Sequence, residues 1–335
     1  MDWTLSKRTL TLFFVASLGL TAFAEPRRGI FSLIEENDDL TFNGDKHYTQ
    51  GLRLSYTHSD NATPRWGRWL AENLPAPGMK IQAVRIGYTL GQNIYTPDNL
   101  RAEELVENDR PYAGWLYCGL VLQREGTTPK HEIPLLDACQ FHTGIIGPES
   151  MAEMFQHWWH DSTGFIIPRG WKNQLKTEPG FVFKHLRQWK FSTGLDGFGA
   201  ECLPHVGGSL GNVATFANAG ALVRLGYNIP DDWGAHTIDS LGVQTGTSAN
   251  AKTWGAYAFA TLEGRAFLHN AFLDGNTFVG SHSIDKEIFV GELRTGLVIA
   301  FRHFDLAATY AMRTREYRGQ PNNDSFGSIS LSLKF

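Results

Sequence analysis

The 335-residue sequence is poor in charge and has no excess of either sign. It holds 30 Lys and Arg against 34 Asp and Glu, charged residues make up 19%, and the formal net charge is −4. A nucleic-acid protein would carry a basic excess, so no nucleic-acid partner is expected. Cysteine is scarce: only Cys118, Cys139 and Cys202 occur, with no C-x-x-C pair and no Cys/His ligand spacing. That excludes a disulfide scaffold and a structural zinc site. The odd count leaves at least one thiol outside any pair within the chain. No low-complexity run points to disorder. After the first 24 residues no apolar run reaches the ~20 residues a spanning helix needs. No internal repeat or Gly/Pro/Ser-rich linker divides the chain, so one domain is expected.

Glycine (35 residues) and aromatics (13%) are plentiful. With so few charges, this composition suits an all-β protein of many short strands. Residues 1–24 read as a secretory signal. Lys7 and Arg8 precede a short apolar stretch from Leu10 to Leu20, and Ala22-Phe23-Ala24 is an A-x-A cleavage pattern. Residues 25–335 then form the mature domain.

Period-two alternation recurs along the mature chain. Leu52, Leu54 and Tyr56 alternate with Gly51, Arg53, Ser55 and Thr57. Val84, Ile86, Tyr88 and Leu90 alternate with Arg85, Gly87 and Thr89, and Phe141, Thr143 and Ile145 with Gln140, His142 and Gly144. The run holding Leu222 and Leu225 with Arg224 and Gly226 is less clean. The clearest case is Ile329, Leu331, Leu333 and Phe335 against Ser328, Ser330, Ser332 and Lys334. A soluble sandwich and a membrane barrel both produce this pattern. Lys and Arg on the polar face favour a barrel with a polar lumen, as does a last strand ending in Phe335. Tyr56, Trp115, Tyr117, Trp254 and Tyr257 stand where an aromatic girdle would need them. A closed barrel also satisfies every backbone group in lipid, which an open sheet cannot.

The alternation breaks between Pro148 and Gln174. Met151, Met154, Phe155 and Trp158 fall at helical spacing, bounded by Pro148 and Gly164, so the spacing predicts a short amphipathic helix over 149–162 in a rim loop. A second loop, Asp98 to Asp109, is acidic.

Four segments hold polar residues that a strand or helix does not need: Glu36-Asn37-Asp38-Asp39, Asp45 to Gly51, Asn108 to Gly114, and Gln156-His-Trp-Trp-His160. Gln156 and His160 are four apart, which puts them on one helix face. A His there could take a proton from water while the amide orients that water. Asn37 and Asp38 offer hard oxygen donors of the kind calcium prefers. A calcium ion that holds the oxyanion beside a His base makes a complete ester-hydrolysis site. Each piece alone has a plainer reading. Asn-Asp before a strand is commonly a turn, a His at a helix end a cap, and Asp109-Arg110 an ion pair that anchors a loop.

In order and spacing the segments resemble the outer-membrane lipid A 3′-O-deacylases, the LpxR family. The resemblance is carried by Glu36-Asn37-Asp38, Asp45-x-x-Tyr48-Thr49-x-Gly51, Gln92-x-Ile94-Tyr95-Thr96-Pro97 and Asp109-Arg110-Pro111-Tyr112-Ala113-Gly114. It continues through Gly144-Ile145-Ile146-Gly147-Pro148, Gln156-x-x-x-His160 and Gly170-Trp171-x-x-Gln174-Leu175. The resemblance implies a twelve-stranded antiparallel transmembrane β-barrel in the outer membrane of a Gram-negative bacterium, with a site between barrel wall and loop helix. By motif match His160 would be the general base with Gln156 beside it. Asn37 and Asp38 would lie in the calcium and oxyanion region, and Thr49 would line the site. The implied reaction is calcium-dependent hydrolysis of the ester that holds the acyloxyacyl chain of lipid A, in lipopolysaccharide, with outer-membrane lipids as surroundings. A single chain would suffice, so a monomer is expected. Two positions depart from the family: the nearest basic residue to its loop Lys is Arg101, and Phe165 and Ile167 stand where it has a Tyr. These departures keep open a phospholipase or other lipid esterase on the same scaffold, and the barrel pattern alone keeps open a non-enzymatic pore or surface-structure barrel.

Overall fold

A computed structural model describes residues 29–41, 47–234 and 254–335. The signal segment, together with Asp45 and Lys46, lies outside the described residues. Thirteen strand segments follow one another: β1 (Gly29–Asn37), β2 (His47–His58), β3 (Lys80–Thr96), β4 (Ala113–Thr127), β5 (Pro134–Ile146), β6 (Glu178–Trp189), β7 (Phe191–Leu195), β8 (Phe198–Gly211), β9 (Ala214–Tyr227), β10 (Trp254–Asn270), β11 (Phe289–Phe301), β12 (Phe304–Arg313) and β13 (Asp324–Lys334). Neighbours in sequence pair antiparallel; β1 also pairs with β13, and β6 with β8. Segments β6 and β7 are two lengths of one barrel strand. The register against β8 runs unbroken from Gln188 opposite His205 to Phe191 opposite Cys202. The result is a closed twelve-stranded antiparallel barrel, with β1 on β13 and β6 on β8 closing the wall, while the β7 length runs past β5 and pairs with β8 alone.

The period-two patterns sort onto the two faces of the wall. Outward lie Leu90, Phe141, Phe183, Leu210, Leu225 and Leu297, all exposed. Inward lie Arg53, Glu263, Arg265, Glu292, Arg294 and Arg313, all buried. Glu292 bridges Arg265, Arg294 and Arg313 across β10 to β12, and Glu263 accepts from His205 and Asn218, both at 2.9 Å. Charges on the polar face of β10 to β12 therefore pair with one another inside the lumen. Leu222 faces inward with Leu203, Tyr257 and Phe259 in an apolar plug, which is why the Leu222–Leu225 run alternates less cleanly.

The girdle expectation is corrected in part. Tyr56 and Trp254 lie on the outward face, but Trp115, Tyr117 and Tyr257 are buried on the inward one. Trp115 and Tyr117 stack on each other at 5.6 Å, as the residues of the large inner cluster that also holds Tyr48 and Tyr95.

Two helices lie against the outside of the wall, and both rest on β3 and β4. Helix α1 (Arg65–Asn73) sits at the end of the barrel where β1 begins and β13 finishes. It packs Ala71 and Leu70 on Val84, Ile86 and Leu122. Helix α2 (Ala152–Thr163) sits at the opposite end. It starts three residues later than the 149–162 spacing predicts. Pro148–Ser150 forms a 3-10 turn instead, and Met151 then takes a left-handed φ of 59° that separates turn from helix. Gly164 ends the helix as expected, at φ 79°, with its N–H on the His160 carbonyl. A third, one-turn helix, α3 (Ala271–Asp274), follows β10, with Asn270 capping it through the Phe272 N–H.

Candidate active site

Helix α2 is held by apolar contact, by one polar tie from the wall to the turn before it, and by polar ties within its own loops. Ala152 packs with Ile94, Leu100, Tyr112 and Trp171, with Phe155 at the margin. Gln92 Nε2 donates to the Ser150 carbonyl at 2.6 Å, Ser150 Oγ donates to the Gly147 carbonyl at 2.6 Å, and His157 Nε2 lies 3.0 Å from the Pro168 carbonyl. The approach is close because β4 offers no side chain there. A Cβ on Gly114 would stand 2.0 Å from Ser150 Oγ and 2.4 Å from Ala152 Cβ.

Ala152, Gln156 and His160 make the buried face of the helix, at four-residue steps. Gln156 is fully buried: its Oε1 accepts from Trp171 Nε1 at 2.9 Å, while its Nε2 has no partner among the described residues. A buried amide donor left open is costly unless a ligand or water takes it. His160 is 1% exposed, and its Nδ1 lies 2.5 Å from the Ile166 carbonyl. A carbonyl only accepts, so Nδ1 carries the proton and a neutral ring has its lone pair on Nε2. Phe165 meets the ring edge-on at 5.9 Å. The chain after the helix thus folds back to fix both the tautomer and the plane of His160.

The oxygen-bearing residues stand at the same end of the barrel, on β1 and β2, next along the wall from β3. Asn37 ends β1 opposite Gln50 of β2 and Gly327 of β13, and Asp38 opens a 3-10 turn, Asp38–Thr41, laid against β13. Both are buried. Thr49 occupies a bulge between the pairs Tyr48–Tyr95 and Gln50–Ile94, and its Oγ1 is 2.7 Å from that of Thr96 on β3. The bulge lets Tyr48 turn into the lumen while Thr49 meets Thr96, a common use of bulges near functional sites. Strand β3 carries both the Thr96 partner of Thr49 and the Ile94 contact with Ala152 of α2.

The corner suits a hard cation in donor kind. Asn37 and Asp38 supply an amide and a carboxylate oxygen, with Glu35 nearby taking a 2.7 Å bond from Gln50 Nε2. Two side-chain donors fall short of the six to eight oxygens of calcium, so backbone, water or substrate would complete a shell. Asp137, Cys139 and His185 also bring ligand atoms close together, but near the α1 end of the wall. There Asp137 is already bound by Arg124 and Arg187.

Other singled-out residues are structural. Asp109 and Arg110 do not form the expected ion pair. Asp109 instead accepts from the backbone N–H of Asp98 and Arg110 and from the Tyr317 hydroxyl at 2.5 Å, while Arg110 reaches Glu316 at 3.0 Å and covers the Tyr95 ring. Burial, then the Asp109 carboxylate, push the Tyr317 hydroxyl well above its usual range, so it remains a donor. His47 links this group to β13 through Asp324 at 2.5 Å and to Tyr317 at 2.9 Å. Arg101 is exposed, its N–H on Asn99. The chain also holds one Gly-x-Ser-x-Gly string, Gly207 to Gly211, and it is no nucleophile elbow: it lies within β8, and Ser209 Oγ donates to the Ala214 carbonyl.

Thr96, Trp171 and the Ile166 carbonyl are the contributors that motif reading alone did not single out. Thr96 and Trp171 lie inside quoted motifs, but their roles are contacts, and a backbone carbonyl has no sequence signature.

An apolar outer wall and a lumen lined with ion pairs define a transmembrane barrel, and the buried polar groups under a wall-side helix mark the candidate site on its outer face. The chain belongs to the LpxR family: the family model described as outer membrane protein LpxR matches residues 10–335. Among solved structures, LpxR from Salmonella typhimurium is similar at 20% identity, covering 91% of this chain and 100% of that one, with a TM-score of 0.73. The β domain of the Bordetella autotransporter BrkA, at 10% identity and a TM-score of 0.44, covers 92% and 100%. The first likeness bears out the fold; the second carries no argument. No curated protein sequence matches the chain.

Proposed function

We propose that this protein is a calcium-dependent lipid A 3′-O-deacylase of the outer membrane, with His160 as general base. The observation that supports it most is the His160 ring itself, buried on the outer wall with Nδ1–H held by Ile166, beside the open Gln156 amide. Both side chains lie on the buried face of α2, and the open Gln156 donor is the one the packing leaves unused.

Water held by Gln156 Nε2 gives a proton to His160 Nε2 as its oxygen adds to the ester carbonyl. The tetrahedral adduct expels the sugar alkoxide, which takes the proton back from the imidazolium. The products are a free fatty acid and a sugar hydroxyl. The Ile166 carbonyl stabilises the imidazolium through Nδ1–H, and Trp171 keeps the Gln156 amide turned with its N–H₂ toward the reacting water. Asn37 and Asp38 would hold the calcium, with Thr49 lining the site. When bound, calcium supplies Lewis-acid polarisation of the carbonyl oxygen.

The test is purified protein on lipid A in mixed micelles, with calcium and with excess chelator. Loss of one acyloxyacyl unit only with calcium is expected; equal turnover in chelator would remove the metal from the reading. A second reading, an esterase for glycerophospholipid, draws on Phe165 in place of a phenol and on the exposed Arg101. Phospholipid turnover exceeding that of lipid A would favour it. The charged network across the lumen speaks against an open pore.

A further inference from the structure

Helix α1 presents two faces of different character. Gly67 and Ala71 are buried against the wall, and a Cβ at Gly67 would meet Ile86 Cγ1 at 2.3 Å. The other face turns Trp66 and Trp69 outward, 44% and 63% exposed, each directly after an arginine, Arg65 and Arg68. A nine-residue helix with two bare tryptophans gains nothing from them in water.

The wall beneath is as unusual. Arg124 and Asp137 lie on the outward face, in line with Leu122 and Cys139, yet each is only 1% exposed. They bond each other at 2.5 Å. Arg124 also donates to the carbonyls of Ala71, Leu74 and Pro75, and Arg187 joins Asp137 at 2.7 Å and the Pro77 carbonyl at 2.7 Å. These side chains fasten the C-terminal end of α1 to the wall. Charged groups on a lipid-side wall are expensive at the centre of a bilayer and cheap at its edge, so they mark an edge of the apolar band.

The opposite edge is marked by α2. Both helices stand on β3, α1 over Val84 and Ile86 and α2 over Ile94, with Tyr88 and Leu90 bare between them. From Val84 to Ile94 is ten steps, about 34 Å along a strand. At the usual barrel tilt this is roughly 26 Å along the axis, close to the ~25 Å apolar band of such barrels.

We propose that α1 is an interfacial anchor. Its Trp66/Trp69 face lies among the glycerol and phosphate groups of the phospholipid leaflet at the terminal end of the barrel. That is the periplasmic leaflet, because the connections at the other end, 97–112, 147–177 and 271–288 among them, are together longer than those at this end, where 59–79 and 228–253 are the long ones, and the longer loops are external in these barrels. The occupant is argued from continuity with the lipid-facing wall, from tryptophan's place at membrane interfaces and from the exposed Arg65 beside Trp66, Arg68 being held by Asp60. With α2 it brackets the hydrocarbon and fixes how deep the barrel sits. The proposal stands whether or not the site hydrolyses an ester.

The test is tryptophan emission of the full protein in phosphatidylcholine vesicles, read as wild type minus the W66F/W69F variant. Bromine near the glycerol end of the acyl chains should quench most of that difference. Bromine near the methyl end should quench little, and aqueous acrylamide little. A difference signal quenched by acrylamide and untouched by either brominated lipid would overturn the proposal, leaving the face to water or to a soluble partner. Stronger quenching by the methyl-end bromine would overturn the interfacial depth. Heat-modifiable gel mobility certifies folding of the variant, and W69F alone gives the same reading should the double variant fail to fold.

Discussion

The two wall-side helices share a floor and differ in what they bury. Helix α1 sets Gly67 and Ala71 on aliphatic residues and shows tryptophan to its surroundings. Helix α2 buries a glutamine and a histidine on the same strands. Burial of apolar surface explains the first at ~25 cal/mol per Å² and needs nothing further. It cannot explain the second, because an amide and an imidazole lose hydration under a helix and repay it only through partners or a ligand. The difference separates a helix held by apolar contact from a helix whose buried polar side chains call for partners.

Substitutions can break this contrast. The largest effect is expected from His160→Ala, a fall of about 10²–10⁴ in ester turnover with the barrel still heat-modifiable, since a general base contributes on that order. Gly114→Ala comes next. Its methyl group would push against Ser150 and Ala152, and a shift of α2 by about 1 Å costs roughly 10²-fold in rate. Micellar kinetics beside thermal unfolding will show whether rate falls while the barrel melts as before. Trp171→Phe removes the donor to Gln156 Oε1, worth about 0.5–1.5 kcal/mol, so kcat should drop several-fold with little change in KM. The smallest effect on rate belongs to Gly67→Ala, which crowds Ile86 under α1: turnover should stay at wild-type level while α1 loosens, read as faster proteolysis in the 59–79 loop. Equal losses of rate from Gly114→Ala and Gly67→Ala would erase the distinction between the helices.

The barrel was legible where one face is uniformly apolar. Ile329 to Phe335 against Ser328 to Lys334 needed only the period of a strand, and β13 keeps that alternation. The pattern blurred where the lumen itself turns apolar, at Leu222, and misled where aromatics fill the interior, at Trp115 and Tyr117. Period two separates faces without saying which is wet. Helix α1 was hidden because its apolar stripe is only Gly67, Leu70 and Ala71; the visible signal was a break in the outer face at Arg124 and Asp137. In the site, the four-residue spacing of Gln156 and His160 put both on the buried face of α2. The bulge at Thr49 and the Ile166 carbonyl on His160 were not legible, since both depend on backbone path rather than residue type.

The most direct measurement is the mass spectrum of lipid A from a host expressing the wild-type chain or His160→Ala, with outer-membrane folding verified for both. The account predicts loss of one acyloxyacyl unit with the wild type and an unaltered spectrum with the variant. Deacylation of equal extent by both proteins would contradict His160 as the base.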